Sequence, residues 1–306
     1  MANRRKKGRE ISGWLCLDKA VGTTSTQAVA IVKRLFDAQK AGHAGTLDPL
    51  ASGALPIALG EATKTVPYVQ DGRKVYRFTV QWGVETDTDD ADGKPVATSD
   101  ARPERAAIEA ALPAFTGEIM QRPPAYSAIK VDGNRAYDLA REGEEVILEE
   151  RPVSIHRLVL TDMPDRDHAV FEAECGKGTY VRAIARDLGR ALGCRGHVVA
   201  LRRLTVGPFD PATLVRLDDL LAAREASAEP DALDHFLKPL GFGLAELPEI
   251  ALNGNDAARL RRGQSVLIRG RDAPPAGTIH VTHAGESVAI GEVERGEFHP
   301  RRVFQG

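Results

Sequence analysis

Residues 178–193, GTYVRAIARDLGRALG, read as a helix that has to be covered on one side. Val181, Ile184, Ala185, Leu188 and Leu192 recur at the spacing of one helical face, Arg182, Arg186 and Arg190 recur every fourth residue on another, and Gly193 is a natural stop. The apolar stripe requires a packed partner, such as a sheet. The arginine face reads either as solvated charge or as a local positive surface that attracts phosphates.

Strand candidates surround this helix. GWLCLDK (13–19) is a short strand, and the segment after it carries Thr24 and Gln27 in a capping-box pattern, with Val29, Val32 and Phe36 on one helical face. In VYRFTVQWG (75–83), Tyr76, Phe78, Val80 and Trp82 alternate with more polar neighbours, which predicts a strand with one buried face. Residues 168–175 suggest another strand, 101–115 a helix, and 61–72 a short helix broken at Pro67. RPPAYSAIKVDGNRAYDLAREG combines a proline-constrained loop, a hairpin turn at Asp132 and Gly133 and a short helix. Beyond a connector starting near residue 224, SVLIRG, TIHVTHA, SVAIGEVE and RRVF predict a small β-rich module.

A chain of 306 residues suits one large domain and one small one. The basic start, MANRRKKGRE, lacks the apolar core of a secretory signal, and no apolar run has the length of a membrane span, so the protein is expected in the cytoplasm. Cys16, Cys175 and Cys194 are odd in number and widely spaced, as expected for reduced packing residues. Formal net charge is −2, yet the charge is segregated: residues 175–206 hold seven Lys or Arg against Asp187, while 81–118 is mostly acidic. Such a distribution allows a nucleic-acid partner in spite of the acidic total.

GHAGTLDPLASGALPI (42–57) places one carboxylate, Asp48, immediately before Pro49 among small residues. The proline biases Asp48 to extended backbone, and the small neighbours allow close approach of a ligand. Alternatively the aspartate is a local turn device. No serine lies in a nucleophile-elbow pattern and no phosphate-binding lysine loop is present, which argues against a serine hydrolase and an NTPase. The acidic loop ETDTDDADGK fails as a calcium site, because Thr88 and Ser99 stand where acids are needed.

Taken together, LDKAVGTTS, GHAGTLDPLASGALPIALGEATK, YRFTVQWGVETDTDDADG, PPAYSAIKVDGNRAY and GTYVRAIARDLGRALGCRGHVVALRR closely resemble the TruB family of bacterial tRNA pseudouridine synthases. The blocks run in the family's order over most of residues 11–207. The C-terminal module, ending HPRRVF, resembles the PUA-type RNA-binding barrel of that family. Ala20 departs from a usual proline and Ala44 from a common hydroxyl residue.

The resemblance implies an α+β protein: a mixed, largely antiparallel sheet with helices over 11–240 (the pseudouridine synthase fold), a PUA-like β-barrel over 246–306, and a basic disordered tail over 1–10. It implies isomerisation of uridine 55 in the T-arm of tRNA, with base flipping, no cofactor, no metal, and neither a membrane nor an obligate protein partner. By the same resemblance Asp48 is the essential aspartate, Arg182 its active-site arginine partner and Asp90 a further member of their network. Tyr76 stacks on the flipped base, Tyr180 and Leu201 complete the pocket, and His43 contacts the opened RNA. Arg186, Arg190, Arg202 and Arg203 are expected to track phosphates, and Lys19 and Lys64 to meet phosphates or brace the loop. The alternative is a non-catalytic tRNA-binding or folding protein using the same basic face.

Overall fold

The structure, a computed structural model, describes residues 8–127, 129–131, 134–136, 148–268 and 276–305. Strand β1 (Gly13–Lys19) leads to helix α1 (Ser25–Leu35). The capping box forms: Thr24 Oγ1 accepts from the Gln27 N–H at 3.1 Å, and the Thr24 N–H donates to Gln27 Oε1 at 2.9 Å. Val32 and Phe36 are fully buried, as their spacing predicts. Next come β2 (Ala41–His43), β3 (Ala51–Leu59), a 3-10 segment at Gly60–Lys64 and helix α2 (Val66–Asp71). Pro67 therefore does not break a helix. It sits in the first turn of α2, where its missing N–H has no partner to lose.

The chain continues through β4 (Lys74–Trp82), β5 (Val84–Thr86), β6 (Pro95–Thr98), α3 (Arg105–Ala111), β7 (Gly117–Gln121), β8 (Lys130–Val131) and β9 (Asn134–Arg135). The hairpin turn at Asp132 and Gly133, and the short helix expected to follow, lie outside the described residues. Then follow β10 (Arg151–Asp162), β11 (His168–Cys175), α4 (Val181–Ala191), β12 (Gly196–Val206), β13 (Leu214–Arg216) and α5 (Leu217–Ala226). The C-terminal part holds β14 (Glu249–Ala251), α6 (Gly254–Arg261), β15 (Val266–Leu267), β16 (Gly277–His283), β17 (Glu286–Glu294) and β18 (Glu297–Val303).

The large sheet runs β13-β1-β3-β12-β4-β11-β10-β7, with β2 paired to β3. Its pairings are antiparallel except β1 with β13 and β3 with β12. Strand β12 lies between β3 and β4, with Leu201 opposite Ala51 and Phe78, and Arg203 opposite Gly53 and Tyr76. This register brings three distant stretches of sequence to one place. On β4, Phe78, Val80 and Trp82 are buried and Tyr76 is partly covered. The stripe of α4 packs as expected, with Ile184, Ala185 and Leu188 inaccessible.

The second sheet, β14-β16-β17-β18-β15, is a curled half-barrel closed over its own core of Leu260, Val266, Val281, Val293 and Phe298. It meets the large sheet's domain through Leu244, Ile290 and Phe304, packed with Tyr68 and Leu240. Lys64 serves this junction, donating to the Val303 carbonyl at 3.0 Å, and does not stand ready for a phosphate. Residues 1–7 of the expected tail lie outside the described residues. Arg9, placed in that tail by sequence, is held: its N–H donates to Asp37 O at 2.6 Å and its guanidinium pairs with Asp234 at 2.6 Å. The three cysteines are free and buried, and among the described residues no helix is long and apolar enough to cross a membrane.

Gly189 tests how closely α4 lies on the turn into β12, because an added Cβ there would stand 2.5 Å from the Gly196 nitrogen. Alanine in place of a helical glycine ordinarily stabilises by about 1 kcal/mol. Gly189→Ala is instead expected to destabilise by about 1–3 kcal/mol through overpacking, read as a lower thermal midpoint.

Candidate active site

Asp48 lies on the connection from β2 to β3. The turn is closed by Ala51 N–H on the Asp48 carbonyl at 3.0 Å, and Pro49 is tied to the β1–α1 loop by the Gly22 N–H at 2.8 Å. Ser25, at the start of α1 and buried, holds the preceding residue twice: its Oγ donates to Leu47 O at 3.1 Å and accepts from Leu47 N at 2.9 Å. The carboxylate thus projects from a backbone fixed on both sides, and its side chain remains 37% accessible.

The partner of that carboxylate comes from α4. Arg182 Nε lies 3.0 Å from Asp48 Oδ2, and Nη1 lies 3.2 Å from Asp90 Oδ2. Nη1 also donates to Thr88 O at 2.8 Å and Nη2 to Tyr126 O at 2.9 Å, so every nitrogen of a guanidinium buried to 5% accessibility is occupied. The pattern continues along the helix. Arg186 pairs with Asp89 at 2.8 Å and with Asp187 at 2.8 Å, and Arg190 pairs with Glu85 at 2.5 Å. Residues four apart on a helix stack on one face, and the acidic stretch from Glu85 to Asp90 runs past that face in the opposite direction. Asp89 adopts a left-handed φ of 61°, a conformation aspartate tolerates, so that it and Asp90 reach different arginines.

Along the basic face of α4 each arginine is engaged by carboxylates, with Arg182 and Arg186 buried and Arg190 half-exposed. Arg186 is buried, and each of its three guanidinium nitrogens is engaged by a carboxylate or by Arg122 O. Arg203, also expected to track phosphates, is 1% exposed and donates to the carbonyls of Ala54, Thr46 and Gly45. Arg190 and Arg202 keep partial exposure but each is engaged, the latter bidentately with Asp18 at 2.9 Å. Lys19 is also buried, bracing the β1–α1 loop through the carbonyls of Ala20 and Thr23, and burial pushes its ammonium down to about 8.

Two hollows meet at Asp48. One, of about 400 Å³, is lined by Tyr76, Tyr180, Leu201, Lys74 and Arg203; the other, of about 430 Å³, by His43, Thr24, Pro49, Tyr126 and Asp90. Both share Asp48 and Arg182. Tyr180 immediately precedes α4, and the Gln121 amide grips its backbone, accepting from its N–H at 2.8 Å and donating to its carbonyl at 3.1 Å. Burial raises the phenols of Tyr76 and Tyr180 above their ordinary range, and burial followed by the charge of Arg203 lowers the imidazole of His43. The first hollow thus sets the Asp48 carboxyl beside aromatic and apolar walls. That suits a planar, uncharged ring attached to a sugar. Among the described residues no group of three His, Cys, Asp or Glu is arranged to hold a metal ion.

Residues 33–181 match the family model for the N-terminal domain of the TruB family pseudouridylate synthases, and residues 182–245 the model for the tRNA pseudouridylate synthase B C-terminal domain. The chain belongs to the TruB family. Relatives named tRNA pseudouridine synthase B include those of Bradyrhizobium diazoefficiens, 62% identical over 98% of this chain and 88% of the relative. That of Nitrobacter winogradskyi is 61% identical over 98% and 84%, and that of Agrobacterium fabrum 57% identical over 99% and 97%. Among solved structures, an H/ACA RNP bound to a substrate RNA containing 2'-deoxyuridine superposes with a TM-score of 0.76 at 22% identity, covering 96% of this chain and 85% of that one. An archaeal box H/ACA sRNP Nop10-Cbf5 complex gives 0.74 at 24% identity, covering 96% and 86%. These establish the fold that this TruB-family chain shares.

The ladder between α4 and the acidic stretch carries a stability prediction. Asp89→Asn leaves the buried Arg186 guanidinium with Asp187 as its remaining charge partner, and a cost of about 1–2 kcal/mol is expected in denaturant unfolding. Glu109→Gln, in the exposed pair of Arg105 and Glu109, is expected to change stability by less than about 0.5 kcal/mol.

Proposed function

We propose that this TruB-family member converts uridine 55 in the T-arm of tRNA to pseudouridine, with Asp48 acting on the ribose. The observation that carries the reading is an accessible carboxylate oriented by a buried arginine 3.0 Å away, which opens on a hollow with walls of Tyr76, Tyr180 and Leu201. In the reaction the bond from ribose C1' to uracil N1 breaks, the base turns over, C1' bonds to C5, the C5 hydrogen leaves as a proton, and N1, freed of the sugar, takes up a proton. The electron-poor sugar carbon needs an anion, and here the base is retained, so no second carboxyl is required to activate water. Extruding the base costs a few kcal/mol. The first hollow receives it, with Tyr76 stacked on the ring, Tyr180 and Leu201 beside it, and His43 in the adjoining hollow against the opened RNA.

Asp90 belongs to this machinery at one remove, by holding Arg182. Phosphate contacts fall to the half-exposed Arg190 and Arg202 when RNA competes for them, while residues 246–306 supply a PUA-like RNA-binding module beside a catalytic domain over 11–240. The setting is cytoplasmic, and neither cofactor nor metal takes part. A non-catalytic tRNA binder would use the same surface, but it has no use for a carboxylate that a fully engaged buried arginine aims into a cavity.

The test uses unmodified tRNA labelled with tritium at uracil C5 in metal-free buffer. Tritium release by the parent protein, loss of more than about 10³-fold in Asp48→Asn and of more than about 10²-fold in Arg182→Met are expected, in line with removal of a reacting group and of its orienting charge. Tyr76→Phe should retain RNA affinity. No release from folded parent protein would favour the binder.

A further inference from the structure

Arg203 is among the largest fully buried side chains, and no carboxylate pairs with it among the described residues. A buried charge without a counter-ion is costly unless its donors are all received. Here Nε donates to Ala54 O at 2.8 Å, Nη1 to Thr46 O at 3.3 Å and Nη2 to Gly45 O at 3.0 Å. Gly45 and Thr46 belong to the stretch that leads to Asp48, and Ala54 follows it on β3. Tyr76 lies directly across the strand pair, since Arg203 of β12 stands opposite Tyr76 of β4.

Glycines face both the guanidinium and the backbone of Arg203. Gly45 has φ +98°, and a Cβ on it would stand 3.3 Å from Arg203 Nη1. Gly53, paired with Arg203 across β3 and β12, has φ +99°, and a Cβ there would meet the Arg203 carbonyl at 2.2 Å. Ser25 completes the hold by taking both backbone groups of Leu47. Gly45, Thr46 and Leu47 are thus fixed one after another by two buried side chains from remote parts of the chain.

We propose that Arg203 and Ser25 are positioning residues for the reaction: by holding the backbone of Gly45, Thr46 and Leu47 they set the aim of Asp48. The proposal rests on the reading of Asp48 as the reacting group. It requires the planar fork of arginine, because a lysine ammonium carries the same charge from a single point and cannot span three carbonyls.

Arg203→Lys, Ser25→Ala and Asp48→Asn are compared with the parent chain in tritium release from unmodified tRNA, each first checked for a cooperative thermal transition. Arg203→Lys is expected to lose at least about 30-fold in kcat and Ser25→Ala about tenfold, each with KM within about threefold of the parent, because a misaimed carboxylate affects the chemical step and leaves binding intact. A merely structural role would lower the folded fraction while leaving kcat per folded molecule unchanged. Parental kcat in both variants, or a loss confined to KM, overturns the proposal. Turnover by Asp48→Asn at the parental rate would instead remove the underlying reading of Asp48, and the two failures are told apart by that control.

Discussion

Everything at this site depends on one buried guanidinium. Arg182 is almost inaccessible, and a charge in that position is tolerated only when carboxylates and carbonyls surround it. Its four receivers come from separate parts of the chain: Asp48 from the β2–β3 connection, Asp90 and Thr88 from the acidic turn after β5, and Tyr126 from the loop after β7. Satisfying one side chain therefore assembles the cleft. The same demand, repeated one turn and two turns along α4 by Arg186 and Arg190, fastens the helix to the acidic stretch and places Tyr180 at the helix entrance.

The sheet supplies what the ladder cannot. With β12 inserted between β3 and β4, residues near 50, 76 and 202 become neighbours across two strand pairs, one parallel and one antiparallel. Charge from α4 reaches Asp48 on one side, and the backbone of its loop is held from the strand side. Rigid elements on both sides fix the carboxylate more closely than a surface loop alone would.

Local pattern made several elements legible. The capping box of Thr24 and Gln27, the alternation through Phe78, Val80 and Trp82, and the stripe of α4 are each set by a few residues in a row, and the structure has them where the spacing puts them. Arg182 meets Asp48 and Asp90 as the resemblance implies, but the period of a helix face does not say whether water or carboxylate covers Arg186 and Arg190. Their cover comes from the acidic stretch 85–90, roughly a hundred residues away in sequence, and no local pattern on the helix records it. Arg203, Ser25 and Gln121 likewise carried no signal, because each acts on backbone groups, which every residue possesses. Whether Pro67 breaks a helix depends on whether it falls in the first turn or later, and the 3-10 segment before it sets that boundary.

The deciding question is whether Asp90 acts through Arg182 upon Asp48. A double-mutant cycle on kcat with Asp90→Asn, Arg182→Met and the pair together measures it most directly. If the network is one unit, the double variant loses no more turnover than Arg182→Met alone. Losses that multiply would show Asp90 acting independently of Arg182, and would contradict the account.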